Sequence, residues 1–420
     1  MDRFVIEGGV KLRGRVEVSG AKNSALPALA ACLLTSEPVT LHRIPQVKDI
    51  RTMIDLLAHM GARVEEDGQG AVTIMGGSGL EPVAPYEVVK TMRASSLVLG
   101  PLVGRFGRAR VSLPGGCAIG ARPIDLHMRG LEQLGARIEQ THGYIEATAP
   151  QGLTGAIVRF DRITVTGTED ILMAAVLARG ETVIQNAARE PEVVDLAELL
   201  TKMGADIEGA GTSTIRIHGV RTLRGADHTI IADRIEAGTF AIGAAITGGD
   251  VEVAGCVPDH LSALTSKLRL AGAEVNVIGP DLLRVRREEP LQSVDIITEE
   301  HPGFATDLQA QFMSLMTQAE GIAIVSERIF ENRFMHVPEL VRMGASIRID
   351  GNQAIVAGPR RLTGAHVMAS DLRASASLVL AGLVAEGETI VDRVYHMDRG
   401  YEKIESKLAG LGARIRRERG

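Results

Sequence analysis

At 420 residues the chain is longer than one hydrophobic core ordinarily organises, so two domains are expected. Its 46 Lys and Arg against 52 Asp and Glu leave a net charge of −6 with no basic run, which argues against a nucleic-acid partner and requires any anionic ligand to be held by local arginines. Three widely spaced cysteines, Cys32, Cys117 and Cys256, argue against a disulfide framework or a zinc cluster, and none of the eleven histidines has a metal-site spacing such as His-Glu-x-x-His.

Met1-Asp2-Arg3-Phe4 has no apolar signal core, and no run of eighteen apolar residues follows, so a cytoplasmic protein with no membrane partner is expected. Along the chain, six stretches are apolar almost all the way round and rich in Ala and Leu: 25–34, 95–103, 171–178, 237–247, 308–317 and 375–384. Helices without a polar face must be buried. Six amphipathic runs alternate with them, and five of these end in a Leu/Met-Gly-Ala step at Gly61, Gly135, Gly204, Gly344 and Gly412, with a looser copy at Gly272. The glycines recur roughly every seventy residues. Each is expected to end a helix in the left-handed conformation, with a strand starting two or three residues later. Short strands are expected at 157–160 and 182–184. The pattern predicts an α/β protein of six similar units, three per lobe, with helices inside and sheets outside.

Polar residues stand before the buried helices: Lys22-Asn23, Arg93, Thr168-Glu169-Asp170, Asp233-Arg234 with Glu236, Asp307, and Asp371 with Arg373. For Thr168 and the carboxylates, helix capping is an equal explanation. It does not serve the cations. A positive charge at a helix amino terminus opposes the helix dipole at about 0.3–1 kcal/mol, so Lys22, Arg93, Arg234 and Arg373 call for an anion beside them. If the helices run the same way in both lobes, their positive ends face a common cleft suited to a multiply charged phosphate.

The segment 113–125, Leu-Pro-Gly-Gly-Cys-Ala-Ile-Gly-Ala-Arg-Pro-Ile-Asp, has too many glycines and prolines for a helix or strand interior. It sets Cys117, Arg122 and Asp125 on one loop: a nucleophile or acid, an anion clamp and a hydrogen-bond acceptor. The bland alternative is a surface turn with an incidental thiol. Gly115 to Gly120 has a phosphate-loop spacing, but Ala121-Arg122 stands in place of Lys-Ser/Thr, which disfavours a nucleotide triphosphatase. Cys32 and Cys256 read as core residues.

Ser19 to Pro27, Lys90 to Ser95, the Cys117 loop, Asn186 to Glu192, Phe330 to Phe334 and Asp371 to Ser375 together resemble the enolpyruvyl transferases, and among them the UDP-N-acetylglucosamine 1-carboxyvinyltransferase family. The resemblance runs from residue 1 to about 418. It implies a two-lobed inside-out α/β barrel built from six repeats of about 70 residues. It also implies that residues 1–21 join 232–420 in one lobe, while 22–231 form the lobe carrying Cys117. The implied activity transfers the enolpyruvyl group of phosphoenolpyruvate to the 3′-hydroxyl of UDP-N-acetylglucosamine, opening peptidoglycan precursor synthesis, with no metal or cofactor.

By the same resemblance Cys117 is the proton donor, able also to form a covalent adduct and to be alkylated by the phosphonate epoxide fosfomycin, and Asp307 is the general base. Lys22 and Asn23 match the phosphoenolpyruvate-binding pair, Arg122 and Arg399 its phosphate partners, and Arg333 and Arg373 its carboxylate partners. Arg93, Arg122, Pro123, Ile124, Asp125, Leu126, Arg162, Ile163, Thr164, Val165, Asp307 and Ile329 match positions that hold the UDP-sugar. Arg162 and Thr166 depart from the family pattern. Two alternatives stand beside this reading: a shikimate-3-phosphate enolpyruvyl transferase, which is not expected to carry the Cys117 loop, and a catalytically silent binding paralogue.

Overall fold

A computed structural model of the protein describes residues 2–77, 79–90, 92–113 and 124–419, with Arg93 described by its backbone alone. The chain forms two compact units, one comprising residues 2–19 with 232–419 and the other the residues between them. Each has its own hydrophobic core.

Six buried helices occupy these cores: α1 (Lys22–Ala31), α2 (Leu99–Phe106), α3 (Val165–Ala175), α4 (Arg234–Thr247), α5 (Gln309–Met316) and α6 (Leu372–Val384). Along α4 and α5 every residue from Ile235 to Thr247 and from Gln309 to Met316 is buried. Among the described residues, three four-stranded sheets accompany the three helices of each unit, and none closes on itself into a barrel. All six share one order: an edge strand parallel to its neighbour, then two antiparallel pairs. The sheet Ile157–Arg159, Glu181–Gln185, Thr214–His218, Asp206–Glu208 is an example. Its strand Thr214–His218 alternates, turning Ile215 and Ile217 inward while Thr214, Arg216 and His218 stay exposed. Helices are therefore inside and sheets outside in each unit.

Not every sheet is built from consecutive chain. Arg3–Glu7 lies between Glu388–Asp392 and Arg414–Glu418, and Arg13–Glu17 runs parallel to Asp250–Ala254. In the other unit Ala226–Thr229 runs parallel to Val39–His42.

The six repeat glycines all adopt the left-handed conformation, with φ between 94° and 103°. At each, the glycine N–H bonds three residues back and the following alanine N–H five residues back, at 2.9–3.0 Å; Gly61 to Ala58 and Ala62 to Leu57 are one instance. This double bond ends a helix and releases the chain into a strand. The looser copy at Gly272 behaves as the others do.

Helix starts differ from expectation. α1, α4 and α6 begin three residues earlier than the apolar runs, and α3 begins six earlier. Thr168, Glu169 and Asp170 therefore lie inside α3, whose cap is Thr164, accepting from Gly167 N–H at 3.2 Å. Asp233 and Asp371 do cap α4 and α6. Cys32 and Cys256 are buried. Among the described residues no helix is long and apolar enough to cross a membrane.

Candidate active site

In the unit of residues 2–19 and 232–419, Asp307 lies in a 3₁₀ turn, Thr306–Leu308, just before α5. The residue at the N-cap of α5 is Leu308. One Asp307 carboxylate oxygen accepts from Arg333 Nη2 at 2.8 Å and the other from Arg373 Nε at 3.1 Å. Both guanidinium groups are buried, whereas the Asp307 side chain is 24% exposed. The cluster thus offers a partly open carboxylate whose oxygens are held by two planar donors.

Arg373 is the second residue of α6. The α6 cap, Asp371, accepts from the Arg373 and Ala374 backbone N–H groups at 2.8 and 3.0 Å. The Arg373 guanidinium lies 5.1 Å from the Tyr401 ring centre. The Tyr401 hydroxyl is 2.9 Å from Thr239 Oγ1 and accepts from Gln311 Nε2 at 3.1 Å. Burial opposes the charge on Arg373, but Tyr401, Asp307 and Asp233 outweigh it. His336 is fully buried between the charges of Asp371 and Arg333. Burial pushes its imidazole down to about 4, with Arg333 adding and Asp371 opposing, so no third cation joins the two arginines at neutral pH.

Glu327 organises the neighbouring loop. Its carboxylate accepts from Thr298 and Thr306 hydroxyls, both at 2.8 Å, and from the backbone N–H groups of Ile329 and Phe330 at 2.8 and 3.1 Å. The Ile329 N–H is therefore engaged within the protein, and Thr306 ties this loop to the turn holding Asp307. Arg399, half-buried, ends the 3₁₀ segment Val394–Arg399 two residues before Tyr401.

In the other unit Lys22 is the first residue of α1, and its Nζ is 3.2 Å from Asp49 Oδ2, with both side chains nearly buried. Asp49 comes from the first turn of the amphipathic helix Lys48–His59. Part of the anion that the dipole argument demanded is thus the protein's own: Asp49 for Lys22, Asp307 for Arg373. Asn23 follows in α1, half-buried. Arg93 opens the 3₁₀ segment Arg93–Val98. Ile124 precedes the helix Asp125–Gln133, which begins with Asp125 and Leu126, while Arg162, Ile163 and Thr164 lead into α3 at Val165. An exposed ion pair of 3.9 Å, Arg162 to Asp125, joins these two segments. Cys117, Arg122 and Pro123 lie outside the described residues.

Asp49, Glu327, Thr306 and Tyr401 were not among the sequence-derived candidates. Only Asp49 left a signal, as an acid in the first turn of an amphipathic run. Inside α3, Glu169 is fully buried, and burial together with Glu192, Glu190 and Asp170 pushes its carboxyl well above the usual range.

The family model for EPSP synthase (3-phosphoshikimate 1-carboxyvinyltransferase) matches residues 6–408. The chain is 71% identical over 417 residues to the UDP-N-acetylglucosamine 1-carboxyvinyltransferase of Solibacter usitatus (strain Ellin6076), covering 99% of this chain and all of that one. To the protein of the same name from Acidobacterium capsulatum it is 64% identical over 420 residues, covering 99% of this chain and 96% of that one. Among solved structures, the enolpyruvyl transferase NikO from Streptomyces tendae matches with a TM-score of 0.89 at 27% identity, covering 99% of this chain and 98% of that one.

Proposed function

The chain belongs to the EPSP synthase family of enolpyruvyl transferases, and from that premise we propose that it transfers the enolpyruvyl group of phosphoenolpyruvate to the 3′-hydroxyl of UDP-N-acetylglucosamine, releasing phosphate. The observation that carries this reading is the 71% identity, over 417 residues, to a relative named for that activity. The reaction belongs in the cytoplasm, at the first committed step of peptidoglycan precursor synthesis.

The double bond of phosphoenolpyruvate accepts an alcohol only after its terminal carbon is protonated. Cys117 gives that proton. The resulting cationic centre is attacked by the sugar oxygen as Asp307 takes the hydroxyl proton, forming a tetrahedral adduct. Phosphate then leaves with the proton that Asp307 took up, and one methyl proton returns to the Cys117 thiolate, which regenerates the double bond as an enol ether and restores both side chains. Arg333 and Arg373 bind the carboxylate of phosphoenolpyruvate, a role favoured by two buried planar donors converging on the Asp307 carboxylate. Since both Asp307 oxygens are engaged, an arriving carboxylate competes for these donors and loosens Asp307 for proton transfer. Lys22 and Asn23, with Arg122 and Arg399, hold the remainder of phosphoenolpyruvate. Arg93, the residues from Arg122 to Leu126, those from Arg162 to Val165, and Ile329 hold the nucleotide sugar.

Incubating the pure protein with UDP-N-acetylglucosamine and phosphoenolpyruvate tests this. Phosphate release that requires both is expected; release with shikimate 3-phosphate in place of the nucleotide sugar would select the alternative.

A further inference from the structure

Three side chains without a role so far form one hydrogen-bonded line in the unit of residues 20–231. Thr166, exposed in the first turn of α3, has its Oγ1 3.1 Å from His127 Nε2. His127 Nδ1 lies 3.2 Å from Asp170 Oδ2, and Asp170 Oδ1 accepts from Gly100 N–H at 2.7 Å. His127 and Asp170 are 2% and 0% exposed. Each imidazole nitrogen faces an oxygen, so turning the ring leaves buried polar atoms of His127 and Asp170 unpaired, which is costly. When Asp170 accepts from Nδ1–H, Nε2 is left to accept from the Thr166 hydroxyl, and the ring fixes that hydroxyl in one orientation.

The packing is shaped around this line. A Cβ at Gly100 would come within 2.2 Å of the Asp170 carbonyl oxygen, and one at Gly130 within 2.6 Å of Ile171. Glycine at these positions lets α2 and the helix Asp125–Gln133 approach α3 closely enough for the bonds to form. His127 sits on the helix that opens with Asp125 and Leu126; Thr166 directly follows the segment from Arg162 to Val165. The line therefore pins together the two segments assigned to the nucleotide sugar. Their ion pair, exposed and 3.9 Å long, is a weak link by comparison.

We propose that His127, backed by Asp170, is a positioning residue for the sugar nucleotide and acts through the Thr166 hydroxyl. The inference rests on the reading of this chain as a UDP-N-acetylglucosamine enzyme. Calorimetric titration of UDP-N-acetylglucosamine into the wild type, Thr166→Val, Thr166→Ser, His127→Gln and the Thr166→Val/His127→Gln double variant tests it, with KM for phosphoenolpyruvate measured in parallel. Thr166→Val keeps the shape of an exposed side chain and removes only the hydroxyl. It is expected to weaken binding about 5- to 20-fold, by the coupling ordinary for residues in one network, and Thr166→Ser to bind within about twofold of the wild type. The double variant should bind no more weakly than the worse single one, because both cut the same line, and KM for phosphoenolpyruvate should stay within about twofold. Wild-type affinity in Thr166→Val, multiplying losses in the double variant, or an equal rise in KM for phosphoenolpyruvate would overturn the proposal. Failure of the wild type itself to bind the nucleotide sugar would instead sink the functional reading, and this proposal with it. Should His127→Gln not fold, the Thr166→Val and Thr166→Ser pair still decides.

Discussion

Asp307 holds two buried guanidinium groups at once, and the proton-transfer role proposed for it is open to direct test. Asp307→Asn keeps the side chain's size and one acceptor but cannot take up the hydroxyl proton. Its kcat for phosphate release should fall about 10²- to 10⁴-fold, and near-normal turnover would remove Asp307 from the chemistry. The thiols can be separated by reagent. Cys32 is fully buried, and burial pushes its thiol far up, while the buried Cys256 sulfur donates to the Val253 carbonyl; neither suits nucleophilic attack. Mass spectrometry after fosfomycin treatment should find the adduct on Cys117 alone. His336 supplies a pH signature. Because its folded-state value lies near 4, against 6.5 for an ordinary imidazole, the unfolded chain binds the extra proton between those values. Stability from this group is complete above pH 6.5 and falls as pH drops toward 4, by up to about 3 kcal/mol. Unfolding of His336→Gln, compared with wild type across that window, should lack this component.

At the level of helices and strands, the six-fold pattern was legible because each glycine has to end a helix with positive φ. Around Gly135 and Gly204 an added Cβ would meet nothing within 4 Å. Alanine there should therefore cost only the left-handed strain, about 1–2 kcal/mol, or a few degrees of melting temperature. Gly100→Ala should cost several times more, since its Cβ would strike the backbone of α3. Helix beginnings were less legible. The apolar runs mark helix interiors but not their starts: α1, α4 and α6 each run one turn further, through buried residues that include Lys22, Glu236 and Arg373, so Lys22, Arg234 and Arg373 lie within the first turn rather than before it. Asp307 looked like a cap in sequence, yet its carboxylate is engaged by arginines 26 and 66 residues away. Glu327 and Tyr401 were silent for the same reason, and Asp49 showed only its place in a first helical turn: their partners are fixed by tertiary packing, which neither periodicity nor local spacing encodes.

Across the whole molecule, the two units differ in how their sheets are completed. All three sheets between residues 20 and 231 draw on that segment alone, whereas the other unit needs Arg3–Glu7 and Arg13–Glu17 for two of its three. Phe4, Val5, Ile6, Leu12, Val16 and Val18 are at most 5% exposed. At about 1.5–3 kcal/mol each, their loss rivals the whole stability of an ordinary domain, about 5–15 kcal/mol. A fragment of residues 20–231 should melt cooperatively by circular dichroism, and one of residues 232–420 should do so only after a peptide of residues 2–19 is added. Independent folding of the second fragment would contradict this. The same asymmetry orders events on the ribosome. Arg3–Glu7 pairs with strands made more than 380 residues after it, so the unit of residues 20–231 can mature while the chain is still tethered to the tRNA. Arg13–Glu17 must wait for Asp250–Ala254, and Arg3–Glu7, open to chaperones or proteases, until elongation reaches Glu388–Asp392 and Arg414–Glu418.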